Sequence, residues 1–162
     1  MRVVNGILQG NYFTKDKMDS IAIKFDSEER ALTGSKEKES YYYNWEGNYH
    51  IDVITKALSL SSVNLRRLME IDNPPSNVTG YIIQIKNHWI ALRRILNNWW
   101  NLDSLLSNPK ILFEFNIKHF IMELENVNKE KASVFFINEN IETTNLAFEI
   151  ENSNEKVVNV FI

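Results

Sequence analysis

Residues 88–103 read HWIALRRILNNWWNLD, and this stretch decides the fold. It contains two apolar runs, rich in aromatic and branched residues, on either side of an Asn pair. Asparagine tolerates the positive φ angles of tight turns, so the segment predicts a β-hairpin. A similar run precedes it, joined through a turn at Asn87, and a fourth run lies further along the chain. The sequence therefore predicts an antiparallel sheet, with strands at residues 81–86, 88–95, 98–103 and 133–138.

His88 begins the first strand of this hairpin, and Asp103 ends the returning strand. A connection of two or four residues places both side chains on one face of the sheet. If the turn is centred on residues 96–97, Asp103 lies opposite Ile90 and diagonal to His88, with roughly 7 Å between neighbouring side-chain roots. A turn at residues 97–98 moves the two one pair farther apart, and the sequence does not choose between these registers.

A carboxylate that holds one nitrogen of a histidine leaves the other nitrogen free to exchange a proton with a nucleophile. The pair is therefore a candidate for acid–base catalysis, and a structural ion pair explains the same spacing at least as often. The other two histidines, His50 and His119, are assigned to the capping or packing of helices, because most histidines are structural or surface groups.

The composition excludes several classes of function. A chain of 162 residues, of which 44% are apolar, builds one domain with a core. Its net charge of −3 disfavours a nucleic-acid-binding surface. The absence of cysteine excludes disulfides, thiolate metal sites and a thiol nucleophile within these residues, and no metal or other cofactor is predicted.

Because there is no secretory signal and no apolar run of about 18 residues, we expect an intracellular protein, cytoplasmic or nuclear, that is not membrane-bound.

Four helices are predicted around the sheet. The first runs through residues 3–13 and is closed by Gly10, and Thr14 caps the second. A helical or irregular arm is expected to project from the surface within residues 14–45. The two remaining helices, with apolar residues at helical spacing, span residues 51–58 and 113–124.

Several of these segments together resemble the signature of the Josephin family. The downstream part is His88-Trp89, a short hairpin carrying Trp99, and then NLDSLL at residues 101–106. The upstream part is NGILQGNYF at residues 5–13, which is similar to the family's first helix and the turn after it.

The similarity runs from Arg2 to about residue 138. We therefore assign residues 1–138 to a Josephin domain that lacks its N-terminal start, and residues 139–162 to a polar tail. The resemblance implies a papain-like α/β (α+β) fold, in which a central antiparallel sheet is flanked by helices. It also implies a cysteine-dependent deubiquitinase that cleaves peptide and isopeptide bonds at the ubiquitin C-terminus, acting as a monomer with ubiquitin or its chains as partner.

Carried over by position, the resemblance makes His88 the general base and Asp103 its orienting partner. The family's nucleophilic cysteine falls two residues before Met1, so the chain as written is expected to be inactive. If ubiquitin is bound, the predicted contact surface consists of Tyr12 and Phe13 after the first helix, with Ile51 and Asp52 near the groove for the ubiquitin tail. A Tyr-Phe pair lies in the core more often than at an interface, so a core role for these two rings stays open.

The chain also departs from the family pattern. His50 and Asp52 stand where the family commonly has Ser and Gln, and Ser61 stands where some members carry a Trp that helps to contact ubiquitin. Three hypotheses follow, in descending order of preference. They are an active hydrolase whose start lies outside these residues, a pseudoenzyme that binds ubiquitin without cutting it, and a generic α/β interaction domain in which His88 and Asp103 are structural.

Overall fold

The computed structural model describes residues 1–34, 39–43 and 48–138. The predicted tail at residues 139–162 lies outside the described residues, and so do parts of the predicted arm. Within the described ranges, no helix is both long enough and apolar enough to cross a membrane.

The described strands all run antiparallel within one sheet. They are β1 (Arg66–Arg67), β2 (Gly80–Ile85), β3 (His88–Ile95), β4 (Asn98–Asn101), β5 (Lys110–Leu112) and β6 (Ser133–Ile137). Their order across the sheet is β1, β6, β2, β3, β4, β5, so β2 and β3 are central. The predicted antiparallel sheet is confirmed, with strand bounds that differ by at most two residues. The edge strands β1 and β5 escaped prediction because two or three residues are too few to show an alternating pattern.

Two tight turns connect the three consecutive strands of the sheet. Ile85 pairs with His88, so the first turn consists of Lys86 and Asn87. Lys86, rather than the expected Asn87, takes the positive φ, at 51°. Ile95 pairs with Asn98, which places the second turn at residues 96–97. The prediction that Asn97 and Asn98 form this turn is therefore wrong, and the alternative register is the one that the protein adopts.

Four helices are present in the described residues, and of the three whose bounds were predicted only α3 has both ends within one residue of the prediction. They are α1 (Arg2–Leu8), α2 (Lys15–Thr33), α3 (Ile51–Ser59) and α4 (Ile117–Asn128). The first helix is shorter than predicted because Gln9 takes a left-handed φ of 56° before Gly10 is reached. Thr14 caps α2 as predicted, since its side-chain oxygen accepts the N–H of Lys17.

The second and fourth helices differ most from their predicted extent. The α2 helix reaches Thr33, so the first part of the predicted arm is helical, and its last two turns are largely exposed to solvent. The α4 helix begins at Ile117 and not at Phe113, because the side chain of Asn116 accepts the N–H of His119 and caps the helix there. Phe113 lies outside the helix with an exposed side chain.

Helices cover both faces of the sheet. On one face, α1 and α3 pack against Ile82 and Ala91, and on the other face α4 packs against Ile83 and Leu92. Gly6 allows the close approach of α1, because a Cβ atom there would stand 3.4 Å from Leu102 Cδ1 and 3.6 Å from Ala91 Cβ. The start of α1 is thereby held beside the beginning of β3.

The turn between β3 and β4 contains one residue with a strained backbone conformation, which a substitution should relieve. Leu96 has a φ of 46°, a left-handed conformation that leucine adopts at a cost of roughly 1 kcal/mol. Its side chain is exposed, so little packing is lost when it is replaced. We expect Leu96→Asn to raise the free energy of unfolding by roughly 1 kcal/mol, because asparagine tolerates this φ. Urea denaturation followed by tryptophan fluorescence measures the change.

Leu105 provides the matched control, because it is also exposed but its φ is not positive. Leu105→Asn should leave the stability unchanged or slightly lower it. A loss of stability in Leu96→Asn would contradict the account of this turn.

Candidate active site

His88 and Asp103 meet at the end of the sheet. The turn at residues 96–97 pairs Leu92 with Asn101, which brings Asp103 to the level of Ile90 on the face that His88 occupies. The Nε2 atom of His88 and the Oδ1 atom of Asp103 are 2.6 Å apart. The sequence left two registers open, and the structure has the one in which the two side chains are within hydrogen-bond distance.

The carboxylate of Asp103 is held in place by the chain around it. The N–H of Leu105 donates to Asp103 Oδ1 at 2.9 Å, and the N–H of Asp103 donates to the side chain of Asn101 at 3.0 Å. The side chain of Asp103 is 13% exposed, against 29% for His88. A buried and hydrogen-bonded carboxylate fixes the orientation of the imidazole more firmly than a surface pair does.

This geometry defines what the imidazole can do. A carboxylate only accepts hydrogen bonds, so Nε2 of His88 donates and Nδ1 is left to take or give a proton. His88 lines a cavity of about 310 Å³, together with the start of α1 at Met1 and Arg2 and with Tyr49 and Trp89. A proton-transfer group therefore faces a space that can receive a substrate segment.

The cavity is also lined by Tyr49 and Trp89, whose hydrogen bonds sequence analysis missed. The indole N–H of Trp89 donates to the main-chain oxygen of Tyr49 at 3.0 Å. The hydroxyl of Tyr49 donates to Asp19, whose other oxygen binds Lys15. Only the spacing of Lys15 and Asp19, four residues apart on a predicted helix, was visible as a signal. A tryptophan on an apolar strand is expected to be largely buried, but Trp89 is only partly buried.

The four predicted ubiquitin contacts lie in different environments. Tyr12 is 52% exposed, and Asp52 is also exposed, whereas Ile51 is partly buried against the core. Phe13 is only 7% exposed, so the expectation that its ring forms part of a surface is corrected. The reason is local, because the side-chain amide of Asn5 binds both the N–H and the carbonyl of Phe13 and the ring points into the core. The roles of these residues in binding stay predictions.

The turn after α1 determines where the ring of Tyr12 lies. A Cβ atom at Gly10 would stand 2.4 Å from an atom of the Tyr12 ring, so the absence of a side chain there lets the ring cover the backbone. The exposed Tyr12 thus has a defined position beside the end of α1.

His50 has the capping role that was predicted, whereas the side chain of His119 is exposed. His50 caps α3, because its Nδ1 atom accepts the N–H of Asp52 at 3.4 Å. Its ring also lies between Tyr41 and Tyr42. His119 is exposed on α4, away from the cavity.

Comparison with known proteins identifies the class and the family. A central antiparallel sheet between helices, with a histidine and an aspartate beside the start of a helix, is the arrangement of the papain-like fold. The Josephin family model matches residues 1–138, and the chain belongs to this family.

The chain is similar to ataxin-3 proteins from animals and plants. Human ataxin-3 is 28% identical over 152 residues, which covers 83% of this chain and 41% of ataxin-3. The ataxin-3 homolog of Arabidopsis thaliana is 27% identical over 139 residues, covering 75% of this chain and 50% of that protein. The homolog of Caenorhabditis elegans is 28% identical over 142 residues, covering 83% and 44%. The chain thus spans half or less of the length of these relatives.

The bond between His88 and Asp103 can be tested without any assumption about function. In nitrogen-15 NMR spectra, we expect the ring N–H of His88 to give a resonance that is protected from exchange with water. Asp103→Ala should abolish this resonance, because it removes the acceptor. Asp103→Asn should retain it, since the amide oxygen can still accept. A resonance that persists in Asp103→Ala would contradict the geometry described above.

Proposed function

We propose that this chain contributes the general base and its orienting carboxylate to the active site of a thiol-dependent ubiquitinyl hydrolase. His88 exchanges the proton, and Asp103 orients its ring and stabilises the imidazolium. The observation that carries the proposal is the 2.6 Å contact between these side chains at the edge of a cavity. Membership of the Josephin family supports it, because this family consists of cysteine-dependent deubiquitinases.

The reaction assigns a definite task to each of the two side chains. A thiolate paired with the imidazolium attacks the carbonyl carbon of the bond that follows the last glycine of ubiquitin. The imidazolium then gives its proton to the leaving amine, and a thioester remains. In the second half, neutral His88 takes a proton from water as the water attacks the thioester, the carbon–sulfur bond breaks, and ubiquitin leaves with a free C-terminal carboxyl group while the thiolate and imidazolium are restored. Asp103 keeps Nε2 as the donor throughout, so that Nδ1 faces the reacting groups.

The thiol is not among the 162 residues, which contain no cysteine. By themselves these residues therefore form no thioester, and removing a covalent nucleophile typically costs about a millionfold in turnover. Binding is affected much less, because the remaining scaffold is intact. We expect the chain alone to bind ubiquitin and to leave its conjugates uncut.

Ubiquitin is the proposed partner, and an intracellular site of action, cytoplasmic or nuclear, belongs to the same proposal. The proposed contacts are the exposed side chains of Tyr12 and Asp52, together with Ile51, which directly precedes Asp52. Aromatic residues are over-represented among the side chains that dominate binding energy, and this favours Tyr12.

A second candidate is a pseudoenzyme that binds ubiquitin and has no catalytic role. The absence of cysteine from the sequence favours it. The two candidates share the binding surface and differ in whether His88 activates a thiol.

A supplied thiol separates the two candidates. We would precede the chain with a short helical extension that carries a cysteine two positions before Met1, where the family resemblance places the nucleophile. The start of α1 lines the same cavity as His88, so this thiol would lie near the imidazole. We expect the extended chain to react covalently with ubiquitin that ends in a vinyl methyl ester. His88→Ala should slow this reaction at least about a hundredfold, the range of a general base. Mass spectrometry of the adduct measures the rate.

Two variants serve as controls. Serine in place of the added cysteine should give no adduct, and His119→Ala should react like the unmodified extended chain, because His119 is exposed on α4 and away from the cavity. Equal rates with and without His88 would contradict its role as a base. If ubiquitin binds but no adduct forms, the pseudoenzyme is favoured.

A further inference from the structure

A continuous series of hydrogen bonds joins the first turns of α2 to the residue that follows His88. Asp19 on α2 accepts the hydroxyl of Tyr49 at 2.7 Å. The main-chain oxygen of Tyr49 accepts the indole N–H of Trp89 at 3.0 Å. Trp89 is adjacent to His88 on β3. Residues 30 and 40 positions away from Tyr49 in sequence are therefore linked through this one residue, by its hydroxyl on one side and its main-chain oxygen on the other.

The charges and burial along this series fit a fixed contact. Tyr49 is only 4% exposed. Burial and the hydrogen bond to Asp19 raise the pKa of the Tyr49 hydroxyl far above its usual range, so it stays protonated and donates. Burial alone would raise the pKa of Asp19, but the hydrogen bonds from Lys15 and Tyr49 outweigh this effect and lower it. At neutral pH a neutral donor thus meets a charged acceptor, a stronger hydrogen bond than one between two neutral groups.

Two residues of the series, Tyr49 and Trp89, line the same cavity as His88. Lys15, Tyr49, Trp89 and His88 all line the cavity of about 310 Å³. Packing alone does not require a hydroxyl at position 49, because a phenylalanine would fill the same buried space. The hydroxyl contributes a directional hydrogen bond, and this bond fixes how the ring and main chain of Tyr49 lie relative to α2.

We propose that Asp19 and Tyr49 are positioning residues for His88, holding the wall of the cavity at the distance that admits the ubiquitin tail. They act through Trp89 and do not touch the reacting atoms. The functional part of this inference rests on the proposed function, whereas the effect on the position of His88 does not. Loss of the contact lets the segment before α3 shift, which changes the surroundings of both the Trp89 indole and the His88 ring.

The test uses the chain as it is, labelled with nitrogen-15. Tyr49→Phe keeps the ring and removes the hydroxyl. We expect it to move the resonances of the Trp89 indole N–H and the His88 ring, and to weaken ubiquitin binding about fivefold, the order of one net hydrogen bond. Asp19→Ala should produce the same changes. Asp19→Asn keeps an oxygen that accepts the hydroxyl of Tyr49 but loses the charge and the pairing with Lys15, so it should move these resonances less than Asp19→Ala does.

Tyr81 provides the matched control. It is a tyrosine buried to a similar degree, at 3% exposed, in the cluster on the opposite face of the sheet. Tyr81→Phe makes the same chemical change and should leave the His88 and Trp89 resonances in place. Unchanged resonances in Tyr49→Phe would overturn the proposal, and so would equal shifts in Tyr81→Phe. If the unmodified chain binds no ubiquitin, the proposed function fails, and the spectra of the free chain still decide whether Asp19 and Tyr49 position His88.

Discussion

The register between β3 and β4 is the constraint on which the site depends. It is fixed by a two-residue turn at Leu96 and Asn97, both of which have positive φ angles. Because side chains alternate between faces, a slip of one residue would carry Asp103 to the face opposite His88. The contact between His88 and Asp103 therefore exists only as long as this turn is formed, and the protein tolerates the strain at Leu96 to form it.

The start of α1, which packs closely on the sheet, forms one wall of the site. Gly6 leaves room for Ala91 and Leu102, so the first turn of the helix lies beside the beginning of β3. Tyr49 and Trp89, joined to each other and to Asp19 by hydrogen bonds, line the same cavity. His88 thus shares one cavity with the start of α1 and with these two aromatic residues.

Sequence reasoning succeeded where a local pattern carries the information. The hairpin strands are apolar runs bounded by turn residues, so the hairpin could be predicted. Threonine is a favoured residue at the N-terminus of a helix, so the start of α2 at Thr14 could also be predicted. Position 88 is even and position 103 is odd, which predicted that His88 and Asp103 lie on the same face of the sheet. The distance between them depended on the register of the hairpin, and the register depended on whether Leu96 would accept a left-handed φ. Phe13 and Tyr49 were missed for a different reason. Their environments are set by Asn5 and Asp19, contacts that no local periodicity encodes.

The most direct test of the account is to locate the C-terminal tail of ubiquitin on the chain. With carbon-13-labelled ubiquitin and an unlabelled chain, intermolecular NMR cross-peaks report protons that are within about 5 Å of each other. The account predicts cross-peaks from the last two glycines of ubiquitin to the ring protons of His88 and Trp89. Ubiquitin that binds without these cross-peaks, or that binds equally well after its last two glycines are removed, would contradict the account.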